Sequence, residues 1–201
     1  YVVPSAPGKR HSGDTKVTDL LYKCYGQAIL DDDREEDFEE ILKVIKDRYD
    51  SIINGLELTI SLDDEFKTIQ ENFSKKIGRD YAASRGEYLN GIIMAAYLGY
   101  EFIDAAEVIF FDEEGEFDAE KTNEVLSERL AHTERAVIPG FYGSNPDGTI
   151  HTFSRGGSDI TGSIVARAVH ADMYENWTDV SGFLIADPRI IKNPKAIDVI
   201  T

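Results

Sequence analysis

The fold is decided by residues 136–159, AVIPGFYGSNPDGTIHTFSRGGSD. The stretch opens with an apolar run that is typical of a β-strand. The tetrapeptide Asn145-Pro146-Asp147-Gly148 then has turn chemistry, because proline presets φ and glycine accepts a positive φ. It predicts a hairpin between 140–144 and 149–154. The stretch ends in Arg155-Gly156-Gly157-Ser158-Asp159, which leads into a helix.

On both sides of this stretch, helices alternate with short strands. Such alternation predicts an α/β domain with a mostly parallel sheet, here with one hairpin near 140–154. No repeat and no proline- or serine-rich linker divides the chain, so one domain over 1–201 is expected. The predicted helices begin near residues 16, 31, 61, 84, 118 and 158, the last running to about 171. The predicted strands cover 1–6, 105–111, 136–139 and 176–180.

Composition narrows the function. The 201 residues have a formal net charge of -17, whereas a nucleic-acid partner demands a basic surface. The one cysteine, Cys24, excludes an internal disulfide framework and is expected to be a buried apolar residue. No run of about 18 apolar residues suggests a membrane span, and no secretory leader is recognised, so a cytoplasmic setting is expected.

The strongest chemical signal is the segment 151–159. Its glycines let the backbone approach a ligand closely, and a helix start offers unpaired N–H groups and a positive dipole end. Ser158 and Asp159 are expected at the N-cap, and the Arg155 fork suits a carboxylate or a phosphate. A capped helix after a tight turn, with no ligand, explains the same residues equally well.

Three further polar segments are weaker signals. In Ser84-Arg85-Gly86-Glu87, the carboxylate could bind an ammonium group or merely favour the dipole of a helix that starts there. Residues 5–9 with Thr18-Asp19 form another loop before a helix, and Thr178-Asp179 with Asp187-Pro188-Arg189 follow predicted strands, where open α/β sheets bind ligands. Caps and turns account for these segments as well. No phosphate-binding loop, zinc motif or nucleophile elbow is present, and the four histidines lack ligand spacing, so no metal site is predicted.

Taken together and in order, these segments resemble the aspartokinases of the amino-acid kinase superfamily. The resemblance implies a three-layer αβα sandwich, with aspartate and ATP end to end across the carboxyl edges of the strands. The matching text is Val2-Val-Pro-Ser-Ala-Pro-Gly-Lys9, Val17-Thr-Asp-Leu-Leu21, Ser84-Arg-Gly-Glu87, Val137-Ile-Pro-Gly-Phe-Tyr-Gly143, Phe153-Ser-Arg-Gly-Gly-Ser-Asp159, Trp177-Thr-Asp-Val-Ser-Gly182 and Ala186-Asp-Pro-Arg189.

The resemblance also implies a role for each matching residue. Glu87 would hold the α-ammonium of aspartate and Arg155 a carboxylate. Arg155 and Asp159 would act at the catalytic centre. The remaining substrate residues would be Ser158, Asp159, Thr18 and Ser5, and the nucleotide residues would be Thr178, Asp179, Asp187, Arg189, Gly156 and Gly157.

The implied reaction is phosphorylation of the side-chain carboxylate of L-aspartate by ATP to give 4-phospho-L-aspartate, the first step of the lysine, threonine and methionine pathway. Mg-ATP would be the second substrate, with no tightly bound cofactor, no nucleic acid and no membrane involved. A carboxylate nucleophile is ionised at pH 7, so no general base is required.

Two departures from the family pattern bear on activity. The Lys-Phe-Gly-Gly strand of aspartokinases has no match, and neither do their ACT domains, through which the parent enzyme would form a homodimer or higher oligomer. A catalytic-domain fragment, inactive or impaired alone, is therefore expected. The alternatives are another amino-acid kinase, acting on glutamate, acetylglutamate or a nucleoside monophosphate, and a non-catalytic ligand-binding fragment.

Overall fold

A computed structural model describes residues 1–30, 35–154, 156–178, 184–187 and 190–197, with the backbone alone at 35–36. None of its helices is long and apolar enough to cross a membrane. In chain order the elements are α1 Val17–Ala28, α2 Glu35–Gly55, α3 Asp63–Ser74, α4 Arg79–Leu98, β1 Glu101–Phe102, α5 Ala105–Val108, α6 Ala119–Ala131, β2 Ala136–Val137, β3 Tyr142–Ser144, β4 Ile150–Thr152 and α7 Gly157–Ala168.

The strand β2 lies between two parallel neighbours. On one side it pairs with β1, and on the other side Val137 pairs with Val2. The pairing continues past β2, where the Gly140 N–H donates to the Pro4 carbonyl at 3.1 Å. The carboxyl ends of these parallel segments therefore meet near Gly140.

The predicted hairpin is confirmed. β3 and β4 pair antiparallel, with Tyr142 opposite Thr152. Gly148 occupies the turn at φ +81°, a conformation that favours glycine. A parallel bridge between Phe110 and Ser144 attaches the hairpin to the preceding segment.

Two apolar clusters lie on opposite faces of the strands. One joins α1, α2, α3 and α4, and the other joins the strands to α5, α6 and α7. Tyr88 of α4 packs against both clusters. Helices thus cover both faces of the sheet, which confirms the α/β class and the layered arrangement.

The helix α4 begins five residues earlier than predicted. Arg79 is its first residue and Gly78, at φ +131°, precedes it. The expectation that Ser84 opens the helix is therefore wrong, and with it the idea that Glu87 merely favours a helix dipole. The error has a physical cause, because residues 81–87 of α4 are all buried and show no amphipathic stripe from which the start of the helix could be located.

The predicted strand 105–111 is wrong in its first half. Asp104 caps the short helix α5, since its carboxylate accepts the Ala106 N–H at 3.0 Å. Only the end of the segment is extended, where the Phe111 N–H donates to the Ser144 carbonyl. Within the described part of the predicted strand 176–180, residues 176–178 form no strand.

α3 begins at Asp63, after the N-cap Leu62 and close to the predicted start near residue 61, and two other local predictions hold. α3 ends at Ser74, so Ile77 lies beyond it and is 41% exposed. Asp118 caps α6 as expected, accepting the Lys121 N–H at 3.0 Å. Cys24 is buried, and that burial raises the pKa of its thiol to about 12.

Candidate active site

The carboxyl end of β2 packs directly against the first turn of α7. A Cβ added to Gly140 would lie 2.7 Å from the Cα of Ser158, so only glycine fits here. Because Gly140 also bonds to the Pro4 carbonyl, the chain at Ser5 and the start of α7 lie on either side of one residue.

A second close approach brings the N-terminal loop onto α4. A Cβ added to Gly86 would lie 2.9 Å from the Cβ of Ala6 and 3.7 Å from Cγ1 of Val17. The side-chain amide of Asn90 fixes the loop further by donating to the Ser5 carbonyl at 2.7 Å. Ser5, Thr18 and Glu87 each adjoin one of these packed residues, so the backbone at these three positions lies around Gly86.

Glu87 is a buried carboxylate with an unpaired oxygen. The residue is only 7% exposed, and among the described residues its Oε2 has no hydrogen-bond partner. Burial raises the pKa of Glu87 to about 7, while the backbone amides of Ala6 and of Glu87 itself, and the charge of Arg85, oppose the shift. An unpaired buried acceptor of this kind is suited to a hydrogen-bond donor from a ligand.

Arg85 does not supply that donor. Its guanidinium lies 4.2 Å from the ring centroid of Tyr88 and 4.5 Å from that of Tyr81, and it donates to the Ser84 hydroxyl. The guanidinium also lies 5.4 Å from the ring centroid of Tyr142 in β3, so this aromatic contact joins α4 to the hairpin. Among the described residues, no basic side chain forms an ion pair with Glu87.

The start of α7 differs from the prediction. The N-cap is Gly156, at φ +58°, so Ser158 and Asp159 lie inside the first turn and are not N-caps. Gly157 packs beneath Phe141, whose Cα would lie 2.7 Å from an added Cβ. Gly156 has no side chain with which to cap the helix. The first N–H groups of α7 suit an anionic ligand.

The segment after α7 folds back towards the start of this helix. Asn176 donates from its side-chain amide to Oδ1 of Asp159 at 3.1 Å, and the Tyr174 hydroxyl donates to the Asp159 carbonyl at 3.3 Å. This return places Thr178 only two residues from a side chain bonded to Asp159. The Trp177 side chain between them is 89% exposed.

The structure places eight of the predicted site residues in two groups. Ser5, Thr18, Glu87 and Ser158 lie around Gly86 and Gly140, whereas Asp159, Gly156, Gly157 and Thr178 lie at the α7 end. Asp187 is in a turn, where its carbonyl accepts the N–H groups of Ile190 and Ile191. Arg155, Asp179 and Arg189 lie outside the described residues.

Sequence reasoning missed Arg48 and Tyr49 on α2. Both are buried, and they bond to the loop before α1 and to Gly86 of α4. A signal did exist, because Arg48 lies three residues after buried Ile45 and so next to the apolar stripe of an amphipathic helix. An arginine there needs polar partners, although the sequence does not say which.

The family model for the amino acid kinase family matches residues 10–201. The chain belongs to the amino acid kinase family. Aspartokinase 3 of Bacillus subtilis is 37% identical over all of this chain and 46% of its own length. The resemblance to aspartokinases is therefore confirmed, and the chain spans about half the length of the curated relatives that it matches.

Solved structures of this family agree. The crystal structure of Clostridium acetobutylicum aspartate kinase is 52% identical with a TM-score of 0.86, over 97% of this chain and 44% of that one. Escherichia coli aspartokinase III in complex with aspartate and ADP is 25% identical with a TM-score of 0.77, over 98% of this chain and 46% of that one.

Proposed function

We propose that this chain carries the substrate-binding face of an aspartokinase, which transfers the γ-phosphoryl group of ATP to the side-chain carboxylate of L-aspartate. The observation that carries the proposal is Glu87, a buried carboxylate with an unpaired oxygen at the carboxyl edge of the strands. The likeness to aspartokinases, one of them crystallised with aspartate and ADP, supports the same substrates.

Glu87 selects for an amine. The α-ammonium group of aspartate brings one positive charge and three N–H donors, which match an ionised carboxylate that lacks a partner. A dicarboxylate without the amine leaves Glu87 unpaired in a buried position, and that costs binding free energy.

The opposite end of the site handles the carboxylates. Arg155 clamps a carboxylate of aspartate with its planar fork, with Ser158, Asp159, Thr18 and Ser5 lining the pocket. The first turn of α7 adds backbone N–H groups on the same side. Gripping both the ammonium and the carboxylate distinguishes aspartate from ligands that carry only one of these groups.

The transfer step itself needs positioning more than proton chemistry. The attacking carboxylate is ionised at pH 7, so Arg155 and Asp159 act by orienting it in line with the γ-phosphorus. MgATP is the second substrate, and its metal neutralises charge on the phosphates. Gly156, Gly157, Thr178, Asp179, Asp187 and Arg189 make up the nucleotide side. A cytoplasmic setting and, for the whole enzyme, a homodimer or higher oligomer belong to the same proposal.

Calorimetric titration with L-aspartate, with succinate as the control that lacks the amine, tests the proposal with and without a non-hydrolysable MgATP analogue. We expect aspartate to bind and succinate not to bind. Arg155→Ala should weaken aspartate binding by about 1.5–3 kcal/mol, the range for a charged hydrogen-bond partner. Equal binding of succinate would remove Glu87 from the site, and preferred binding of glutamate or acetylglutamate would favour another amino-acid kinase.

A further inference from the structure

Two consecutive residues of α2, Arg48 and Tyr49, place buried polar groups against two segments of the proposed aspartate site, the loop before α1 and the turn of α4 that carries Glu87. They are 4% and 0% exposed. Burying such groups is costly unless each finds a partner, so their hydrogen bonds are a fixed feature of the fold.

Arg48 closes the loop that precedes α1. Its Nη1 donates to the Thr15 carbonyl at 2.6 Å, and its Nη2 donates to the Gly8 carbonyl and lies 2.9 Å from Oδ2 of Asp14. Asp14 also accepts the Arg10 N–H at 3.0 Å. One guanidinium thus bonds to both ends of the loop 8–15. This loop connects the chain at Ser5 to Thr18.

Tyr49 contacts the turn of α4 that carries Glu87. Its hydroxyl donates to the carbonyl of Gly86, the residue before Glu87, at 2.7 Å. The ring is fixed against Phe66 at a centroid distance of 6.2 Å. Burial raises the pKa of Tyr49 well above its ordinary value, the Glu87 carboxylate raises it further, and Arg48 opposes the shift.

We propose that Arg48 and Tyr49 are positioning residues for aspartate: Arg48 sets the loop that carries Ser5 and Thr18, and Tyr49 sets the turn of α4 that carries Glu87. Because the two side chains are adjacent on one helix, α2 fixes the separation between this loop and this turn of α4. The proposal rests on the proposed function. Three of the four acceptors are backbone carbonyls, so the pair acts on the course of the chain rather than on particular side chains.

Two conservative variants test this role, each with a matched control. Tyr49→Phe removes the hydroxyl alone, and Tyr25→Phe removes a comparable bond, the one accepted from the Gly78 N–H at 3.0 Å on a distant part of the helical layer. Arg48→Lys loses the fork, and Arg129→Lys loses a fork that joins Thr133 and Glu101 far from the site.

The measurements are calorimetric titrations with L-aspartate and with a MgATP analogue, together with urea unfolding. We expect Tyr49→Phe and Arg48→Lys to weaken aspartate binding by about threefold to tenfold, the effect of one or two hydrogen bonds, and to leave the nucleotide affinity unchanged. The two controls should lose comparable stability and bind aspartate as the parent does. Equal loss of aspartate binding in the controls, or none in either test variant, would overturn the proposal.

Amide hydrogen exchange separates this proposal from the proposed function. In the unliganded protein, Arg48→Lys should accelerate exchange in peptides covering 5–18, and Tyr49→Phe should accelerate it in peptides covering 84–90. If the parent chain bound no aspartate but the two variants showed these local changes, the proposed function would be contradicted. The structural half of the inference would still hold. Unchanged exchange in both segments would contradict the inference itself.

Discussion

The two walls of the proposed aspartate site are built by opposite means. The wall around Glu87 is buried and is held by side-chain hydrogen bonds to backbone carbonyls, from Tyr49 and Asn90. The wall at the start of α7 is exposed at Asp159 and is shaped by close packing on glycine, as at Gly140. Charge and desolvation should therefore govern the first wall, whereas side-chain size should govern the second.

The largest effect should come from adding one methyl group to Gly140, which packs against the start of α7. In Gly140→Ala the new Cβ meets the Cα and Cβ of Ser158 at 2.7 Å, and backbone cannot move aside as a flexible side chain can. We expect the free energy of unfolding to fall by about 3 kcal/mol, the upper range for overpacking, and both aspartate and nucleotide binding to be lost. Urea unfolding and calorimetric titration measure the two effects.

Gly26→Ala is the matched control for this substitution. Gly26 lies inside α1 with no atom within 4 Å of an added Cβ, so alanine should stabilise the helix by about 1 kcal/mol. Unchanged stability and binding in Gly140→Ala would show that α7 does not depend on this contact, and the contrast between the walls would fail.

The next effect concerns charge on the buried wall. The pKa of Glu87 is raised from 4.5 to about 7 in the folded chain, so the folded state holds the proton more tightly than the unfolded state does. The contribution of Glu87 to the free energy of unfolding is then full below about pH 4.5. It falls as the pH rises to about 7, by roughly 3 kcal/mol in total. Urea unfolding of Glu87→Gln should show no such fall, whereas the exposed Glu101→Gln variant, a control, should keep it.

Aspartate affinity should follow the opposite course with pH. The ammonium group binds ionised Glu87, so affinity should rise by about tenfold per pH unit below pH 7 and level off above it. In Glu87→Gln the rise should disappear, and affinity at pH 8 should be about 10- to 100-fold lower, because a charged partner is lost. Titrations at several pH values that gave one constant affinity would exclude Glu87 from the site.

Local signals in the sequence predicted those parts of the fold that short segments determine. The hairpin follows from the turn chemistry of 145–148, and the start of α6 follows from the cap at Asp118. The start of α4 could not be located in the same way, because residues 81–87 are all buried and so lack an amphipathic pattern. Likewise, the cap at Asp104 is visible in the sequence, but the apolar run after it resembles a strand.

The site divides along the same line. The family resemblance points to Glu87, yet its desolvation and its unpaired oxygen depend on how α1, α4 and the N-terminal loop pack, and only the structure supplies that. Arg48 and Tyr49 were missed because their acceptors are mostly carbonyls, which every residue carries. Side-chain identity therefore marks the residues that touch a ligand more clearly than those that position them.

The smallest expected effect concerns Gly162 of α7, which packs against the segment that follows this helix. In Gly162→Ala the new Cβ would lie 2.5 Å from the phenolic oxygen of Tyr174, the mobile end of a half-exposed ring. The ring can shift, so stability should change by less than about 1 kcal/mol, helped by the higher helix propensity of alanine. Its shift should displace the segment 174–178 and weaken binding of the nucleotide analogue by about threefold, with aspartate binding unchanged.

A double variant separates the clash from any other consequence of the methyl group. Tyr174→Ala removes the ring that the new Cβ meets, so adding Gly162→Ala to it should cause no further loss of nucleotide affinity, and the two changes should be clearly non-additive. Calorimetric titration of the four proteins closes this cycle. If Gly162→Ala alone weakened aspartate binding as much as nucleotide binding, the segment after α7 would serve both substrates, and the proposed division of labour at this wall would be wrong.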